Sequence, residues 1–126
     1  MTRPSPFGQP DAAQLLEAAA AYLEKVALPH LEGHAAFHGK VAVNVLHIVA
    51  REIALGPPAA EAERTRLEAL LPMAQGDLDA LRRRLCDLFA AGDLTLESPG
   101  VADHLLVTAA DRVRIEQPGY ASLKRL

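Results

Sequence analysis

Between Phe37 and Leu55 the chain reads FHGKVAVNVLHIVAREIAL. At roughly 100° per residue, Val41, Ala42, Val45, Leu46, Val49 and Ile53 share somewhat less than half of a helix circumference. Phe37, Ile48 and Leu55 fall beside that sector and widen it. Lys40, Asn44, His47 and Arg51 form a compact polar strip on the opposite side. A strand would need alternation of apolar and polar residues, which Val45-Leu46 and Ile48-Val49-Ala50 break. The pattern therefore predicts a long central helix near residues 35–55, its apolar sector turned into a core and its polar strip outward. Gly56 followed by Pro57-Pro58 predicts its end, because glycine suits the left-handed C′ position and proline cannot continue the ladder.

Four further segments carry helical periodicity. Asp11 with Gln14 three residues on reads as a capping box, opening a helix whose stripe is Leu15, Ala19, Tyr22 and Val26. Pro29 ends or kinks it, and Gly33 separates it from the central helix. Ala59 to Leu71 reads as a surface helix, charged in the middle and anchored by Leu67, Leu70 and Leu71, with Pro72 closing it. Asp77 caps the next, where Leu78, Leu81, Leu85, Leu88 and Phe89 repeat at three- and four-residue spacing up to Gly92. Arg82, Arg83 and Arg84 make a short basic cluster on its outer side. Ser98-Pro99 reads as an N-cap followed by proline at the first helical position. It opens a last helix with Val101, Ala102, Leu105, Leu106, Ala109 and Val113 on one face, stopped by Pro118-Gly119. The expected fold is all-α: a single-domain bundle of about five helices over residues 11–126, after an extended lead-in over residues 1–10 with three prolines.

Composition narrows the function classes. Half of the 126 residues are hydrophobic, enough for a real core, but only 4 % are aromatic and there is no Trp. Such a core packs helices closely through small side chains. A formal net charge of −3 argues against general binding to nucleic acid or anionic membrane, which needs a basic surface. The lone Cys86 rules out an internal disulfide. No apolar run approaches the roughly 18 residues of a membrane span, and Met1 to Pro10 lacks a signal-peptide core, so the expected location is the cytoplasm.

Candidate chemistry is sparse. His30, His34 and His38 are spaced by four, and His34 and His38 are weak candidates for a zinc pair on one helix face. HEXXH is absent and no Cys lies near, so no metal site is expected; the plainer reading is polar side chains at a helix junction. Glu52 projects into the apolar sector beside Val41 and Val45, where a carboxylate must be paired, protonated or at the edge of the bundle. A structural ion pair with another helix is the plainer reading; an acid–base group is the sharper one. His38, Lys40, Asn44, His47, Arg51 and Glu52 together form the polar cluster to suspect, as a binding surface or as structural support. No GxSxG, P-loop or GxGxxG occurs, so neither a nucleophile nor a cofactor is expected.

The pattern FHxxVAxNxLxIVxRExxxGP, here Phe37-His38, Val41-Ala42, Asn44, Leu46, Ile48-Val49, Arg51-Glu52 and Gly56-Pro57, resembles a bacterial family of uncharacterised function. Ala13 to Ala18 and Gln117-Pro118-Gly119-Tyr120 resemble its two ends. Gly39-Lys40 stand where the family has a small residue followed by arginine; lysine keeps the charge and loses the bidentate fork. The resemblance implies a genetic neighbourhood of aminoglycoside-phosphotransferase-like kinases and acyl-CoA dehydrogenases. It thereby implies a role in acyl-CoA catabolism. The first expectation is a non-catalytic accessory protein of such a kinase or dehydrogenase, possible as a homodimer. The alternative is a small-molecule binder, for acyl-CoA or a related compound. The third is a small enzyme using Glu52 and a histidine.

Overall fold

The computed structural model describes residues 5–126; the first four residues of the expected lead-in lie outside them. The architecture is all-helical, with α1 Ala12–Tyr22, α2 Gly33–Leu70, α3 Leu78–Ala90 and α4 Val101–Glu116. There are four α-helices among the described residues rather than about five, because the expected second and third segments are one helix of 38 residues. Gly56 is absent from the positive-φ glycines, so it is no left-handed cap. Pro57 and Pro58 lack the amide hydrogens that the Ile53 and Ala54 carbonyls would accept, yet proline's fixed φ is itself helical. The good helix formers from Ala59 to Leu70 and the burial of Leu67 carry the helix on past this defect.

The chain divides into two compact units, one ending at Pro57 and the other spanning Pro58–Leu126. The first holds α1 and α2 as far as Pro57. Asp11 caps α1 reciprocally with Gln14, at 2.9 and 2.8 Å. A π-type turn, Leu23–Ala27, and a 3-10 turn, Leu28–His30, follow, the second carrying Pro29. The chain then reverses at Gly33, where φ is +58°. Glu17 pairs with His47, and Leu28 lies over Gly39, so α1 and α2 run antiparallel.

The side of α2 that is buried is not the predicted one. Val43 and Ala50 are buried, at 7 % and 2 % exposure, and Ala20 of α1 with them. Val41, Val45, Val49 and Ile53 are exposed, as are Phe37 and Leu55; Leu15 and Tyr22 of α1 and Val26 of the π-type turn stand out as well. The buried positions are mostly small, Ala20, Ala50 and Val43, and Gly39 lies under Leu28 and Leu31. Small residues let two helices approach closely, and a single partner helix covers only one side of α2. The wide branched sector therefore stays outside.

The second unit has a leucine core. Leu67, Leu71, Leu81 and Leu85 are buried together, flanked by Leu78, Leu88, Phe89 and Leu94. Each fully buried leucine contributes roughly 1.5–3 kcal/mol. Asp77 accepts from the Ala80 amide at 2.8 Å and caps α3 as its sequence predicts. α4 starts later than predicted: Gly100, at φ +80°, is its cap, and Ser98 instead accepts from the Thr95 amide at 2.9 Å. The buried residues of α4 are Val101, His104 and Ala110, whereas Leu105 and Leu106 are exposed, so its inward face is rotated from the predicted one. A 3-10 turn, Ala121–Arg125, lies against the end of α4. No helix among the described residues is long and apolar enough to cross a membrane.

Candidate functional site

Burying Val43 and Ala50 brings the polar strip of α2 alongside the α1 segment, with Lys40 and Asn44 still exposed and His47 and Arg51 half-buried. His47 sits two turns of helix beyond Lys40 and is half-buried. Its Nδ1 lies 3.0 Å from a Glu17 carboxylate oxygen, and its Nε2 lies 3.9 Å from Glu24. Glu17 and Glu24 are seven residues apart, so both project from one side of the α1 segment onto the same imidazole. With its hydrogen on Nδ1, His47 donates to Glu17.

Beside this pair a cleft of about 690 Å³ opens between the turns after α1 and the first half of α2. Its apolar lining comes from Leu28, Pro29, Leu31, Ala36 and Val43, and its polar lining from Glu24, Lys40, Asn44 and His47. The volume lies in the range of small-molecule pockets. Gly39 matters to its shape: a Cβ there would sit 3.1 Å from Leu28 Cδ2 and 3.2 Å from Leu31 Cδ1. Glycine thus lets the 3-10 turn press onto α2. The cleft offers an ammonium, a carboxylate, an amide and an imidazole over an aliphatic floor, a setting for a molecule with a polar head and an apolar body.

The six suspected residues therefore separate. Lys40, Asn44 and His47 line the cleft together. Arg51 follows one turn beyond His47, half-buried. His38 and Glu52 are exposed on the other side, within the sector of Val41 and Val45. The His34 and His38 rings stack with centroids 6.5 Å apart, and Phe37 meets His38 edge-on at 5.5 Å. His30 lies in the 3-10 turn, off the helix that carries the other two. Among the described residues no group of three His, Cys, Asp or Glu is placed to hold a metal ion.

The second unit holds a polar network that sequence reasoning missed. Glu63, 7 % exposed, accepts two hydrogen bonds from Arg82, 2.8 Å from Nε and 2.6 Å from Nη2. Arg82 also reaches Asp79 at 3.1 Å. The hydrogen bonds from Arg82, working against burial, hold the Glu63 carboxyl below its ordinary 4.5. His104, 3 % exposed, accepts at Nδ1 from Arg66 Nε at 3.1 Å. Arg66 Nη2 donates to Thr108 at 3.0 Å, and the Thr108 hydroxyl donates to the His104 carbonyl at 2.8 Å. Burial, then the Arg66 charge, lowers the pKa of His104 from 6.5. Its one available sequence signal was spacing. Glu63, Arg66 and Leu67 share one side of α2 at i, i+3, i+4, which places both charges beside a core leucine.

No curated protein and no solved structure matches this chain. A family signature does, over residues 29–120. The matched span begins at Pro29, takes in the Phe37–Pro57 pattern and ends on Tyr120; Ala13 to Ala18 precede it. With most of its length so covered, the chain belongs to the family described as a domain of unknown function (DUF6285).

Proposed function

We propose that the protein is a non-catalytic accessory protein that acts by binding a larger enzyme in the cytoplasm. That enzyme is an aminoglycoside-phosphotransferase-like kinase or an acyl-CoA dehydrogenase of acyl-CoA catabolism. The observation that carries this reading is the surface of the first unit. Leu15 and Tyr22 on α1 and Val26 in the turn after it, with the branched sector of α2, stand exposed. Monomeric proteins rarely expose contiguous apolar patches beyond a few hundred Å², and larger ones mark contacts. The class of partner comes from the family resemblance alone. Co-expression with each enzyme followed by size-exclusion chromatography tests it. A complex with one of the two is expected, lost in Tyr22→Asp; no complex with either at micromolar concentration overturns it.

The cleft supports a second reading, a binder of acyl-CoA or a related acyl compound. Lys40 and Asn44 suit a carbonyl or an anionic head, and Leu28, Leu31 and Val43 suit an aliphatic chain. A ligand at 100 times its dissociation constant stabilises the fold by about 2.7 kcal/mol. Thermal-shift measurement with acyl-CoA compounds therefore separates this reading from the first, with Lys40→Ala as the control. An acid–base role for Glu52 ranks last, since its carboxylate is exposed and on the far side of α2 from His47.

A further inference from the structure

The exposed side of α2 carries a regular apolar ridge with a complementary polar pair beside it. Phe37, Val41, Val45, Val49 and Ile53 are all exposed and follow one another at four-residue intervals. They form one i±4 ridge of the kind that interdigitates with an equal ridge when helices cross at about −50°. Val45 lies roughly 150° round the helix from Val43 and Ala50, the residues buried against α1. The ridge thus points away from α1. It is also palindromic. Laid against an antiparallel copy of itself with the two Val45 side chains at the centre, Val49 meets Val41 and Ile53 meets Phe37. In the same register Glu52 of one copy meets His38 of the other. These are the two polar side chains of the suspected cluster that point to this side, and both are exposed.

We propose that a second copy of this chain docks on this ridge, forming a two-fold symmetric dimer through antiparallel α2 helices centred on Val45. Two-fold symmetry requires that if one residue meets another, the second meets the first. Equal spacing makes any such ridge symmetric about its middle residue, so what favours a second copy is the polar pair: in the register centred on Val45, the exposed Glu52 carboxylate of each chain falls opposite the exposed His38 imidazole of the other, twice by symmetry. The area is adequate. Phe37 at 63 % and Val45 at 49 % exposure set the scale. Taking a whole aromatic residue at roughly 150–250 Å² and the aliphatic ones somewhat lower, the five ridge residues offer on the order of 400 Å². His34, His38, Glu52 and Leu55 flank the ridge and bring the patch toward the roughly 800 Å² per partner of a standard interface. The inference goes beyond the accessory role: Leu15 and Tyr22 of α1, with Val26 in the turn after it, lie off α2 and stay open for a different partner.

The test is sedimentation velocity of the full chain across the micromolar range, joined to a register-specific cross-link. A wild-type dimer is expected. Val45→Glu brings two carboxylates together at the centre and gives a monomer with unchanged helical circular dichroism, since Val45 is not part of the monomer's core. In a Cys86→Ser background, Val45→Cys alone forms an inter-chain disulfide on mild oxidation. Val41→Cys and Val49→Cys chains cross-link when mixed and not when separate. Glu52→Lys weakens the dimer, and combining it with His38→Glu restores it. A wild-type chain that is monomeric throughout the range overturns the proposal. So does a dimer that survives Val45→Glu or fails to cross-link at Val45→Cys. Complex formation with a kinase or dehydrogenase is read separately, so either idea can fail without the other.

Discussion

Arg66 on α2 donates its Nε hydrogen to Nδ1 of His104 on α4, across 3.1 Å. A guanidinium has donors only, so the nitrogen that faces it must be an acceptor. That fixes the buried imidazole as the neutral Nε2–H tautomer. Arg66 spends a second donor on Thr108, whose hydroxyl passes a hydrogen bond back to the His104 carbonyl. One arginine thereby holds the first two turns of α4 at a defined rotation, and this accounts for the inward face being Val101, His104 and Ala110.

Acid should loosen this arrangement before it reaches any carboxylate. The folded-state pKa of His104 lies below its ordinary 6.5, so the unfolded chain binds the extra proton first. Stability is therefore full above pH 6.5 and falls as pH drops from 6.5 through the folded value. Urea midpoints measured as a function of pH should show that slope in the wild type. In His104→Gln, whose side-chain oxygen still accepts from Arg66, the slope should vanish while the midpoint at neutral pH moves little. An unchanged slope in the variant would assign it to another group.

Glu63 and Arg82 give a second acid-sensitive element with a lower window. Arg82 holds the Glu63 carboxyl below 4.5, so this contribution is present above 4.5 and is lost as pH falls through the folded value. Arg82→Met leaves a nearly buried carboxylate without its two donors and should lower stability by roughly 1–3 kcal/mol. Adding Glu63→Leu should recover most of that loss, because a well-packed apolar pair often equals a buried ion pair. The coupling from the double-mutant cycle is the quantity to measure.

How far the sequence could be read depends on how many partners each helix has. Leu81 and Leu85 were legible because α3 packs against one leucine-rich neighbour, and the caps Asp11 and Asp77 were legible because capping is local chemistry. The orientation of α2 was not. A helix apolar over nearly half its circumference can bury either edge of that sector or neither. Its buried residues in the first unit are Val43 and Ala50, with Gly39 under the 3-10 turn, rather than the valines of the predicted sector. The polar strip was found: Lys40 and Asn44 are exposed and His47 half-buried, and all three line a cleft beside the α1 segment that periodicity alone did not show. Glu63 and Arg66 looked like surface charges because periodicity alone does not show which charges have partners on another helix.

The His47–Glu17 pair should contribute little to stability. Their side chains are 30 % and 48 % exposed, and pairs of that kind are worth about 0–1 kcal/mol. Glu17→Gln is therefore expected to shift the melting curve by less than the Arg82→Met change does, and by less still at high salt. If the cleft takes a ligand, the same variant should alter the ligand's dissociation constant more than it alters the melting temperature. Isothermal titration on wild type and variant separates the two.

Two glycines of α2 should respond to alanine in opposite degree. At Gly56 an added Cβ meets nothing closer than Glu52 Cγ at 3.7 Å, an ordinary contact, and φ is not positive. Glycine inside a helix costs roughly 0.5–1 kcal/mol relative to alanine, so Gly56→Ala should stabilise by about that amount. A helix that ended here with Gly56 in the left-handed conformation would instead be destabilised by the same substitution. Its sign therefore tests whether α2 runs through the Pro57-Pro58 step. At Gly39 the propensity gain is the same, but Leu28 and Leu31 must give way by a few tenths of an ångström. Gly39→Ala should fall short of the Gly56→Ala gain. Gly39→Val, which adds two more methyl groups against the same leucines, should destabilise by roughly 1–3 kcal/mol. Chemical denaturation of the three variants reads both signs, with helicity at 222 nm reporting whether α2 has lengthened or frayed.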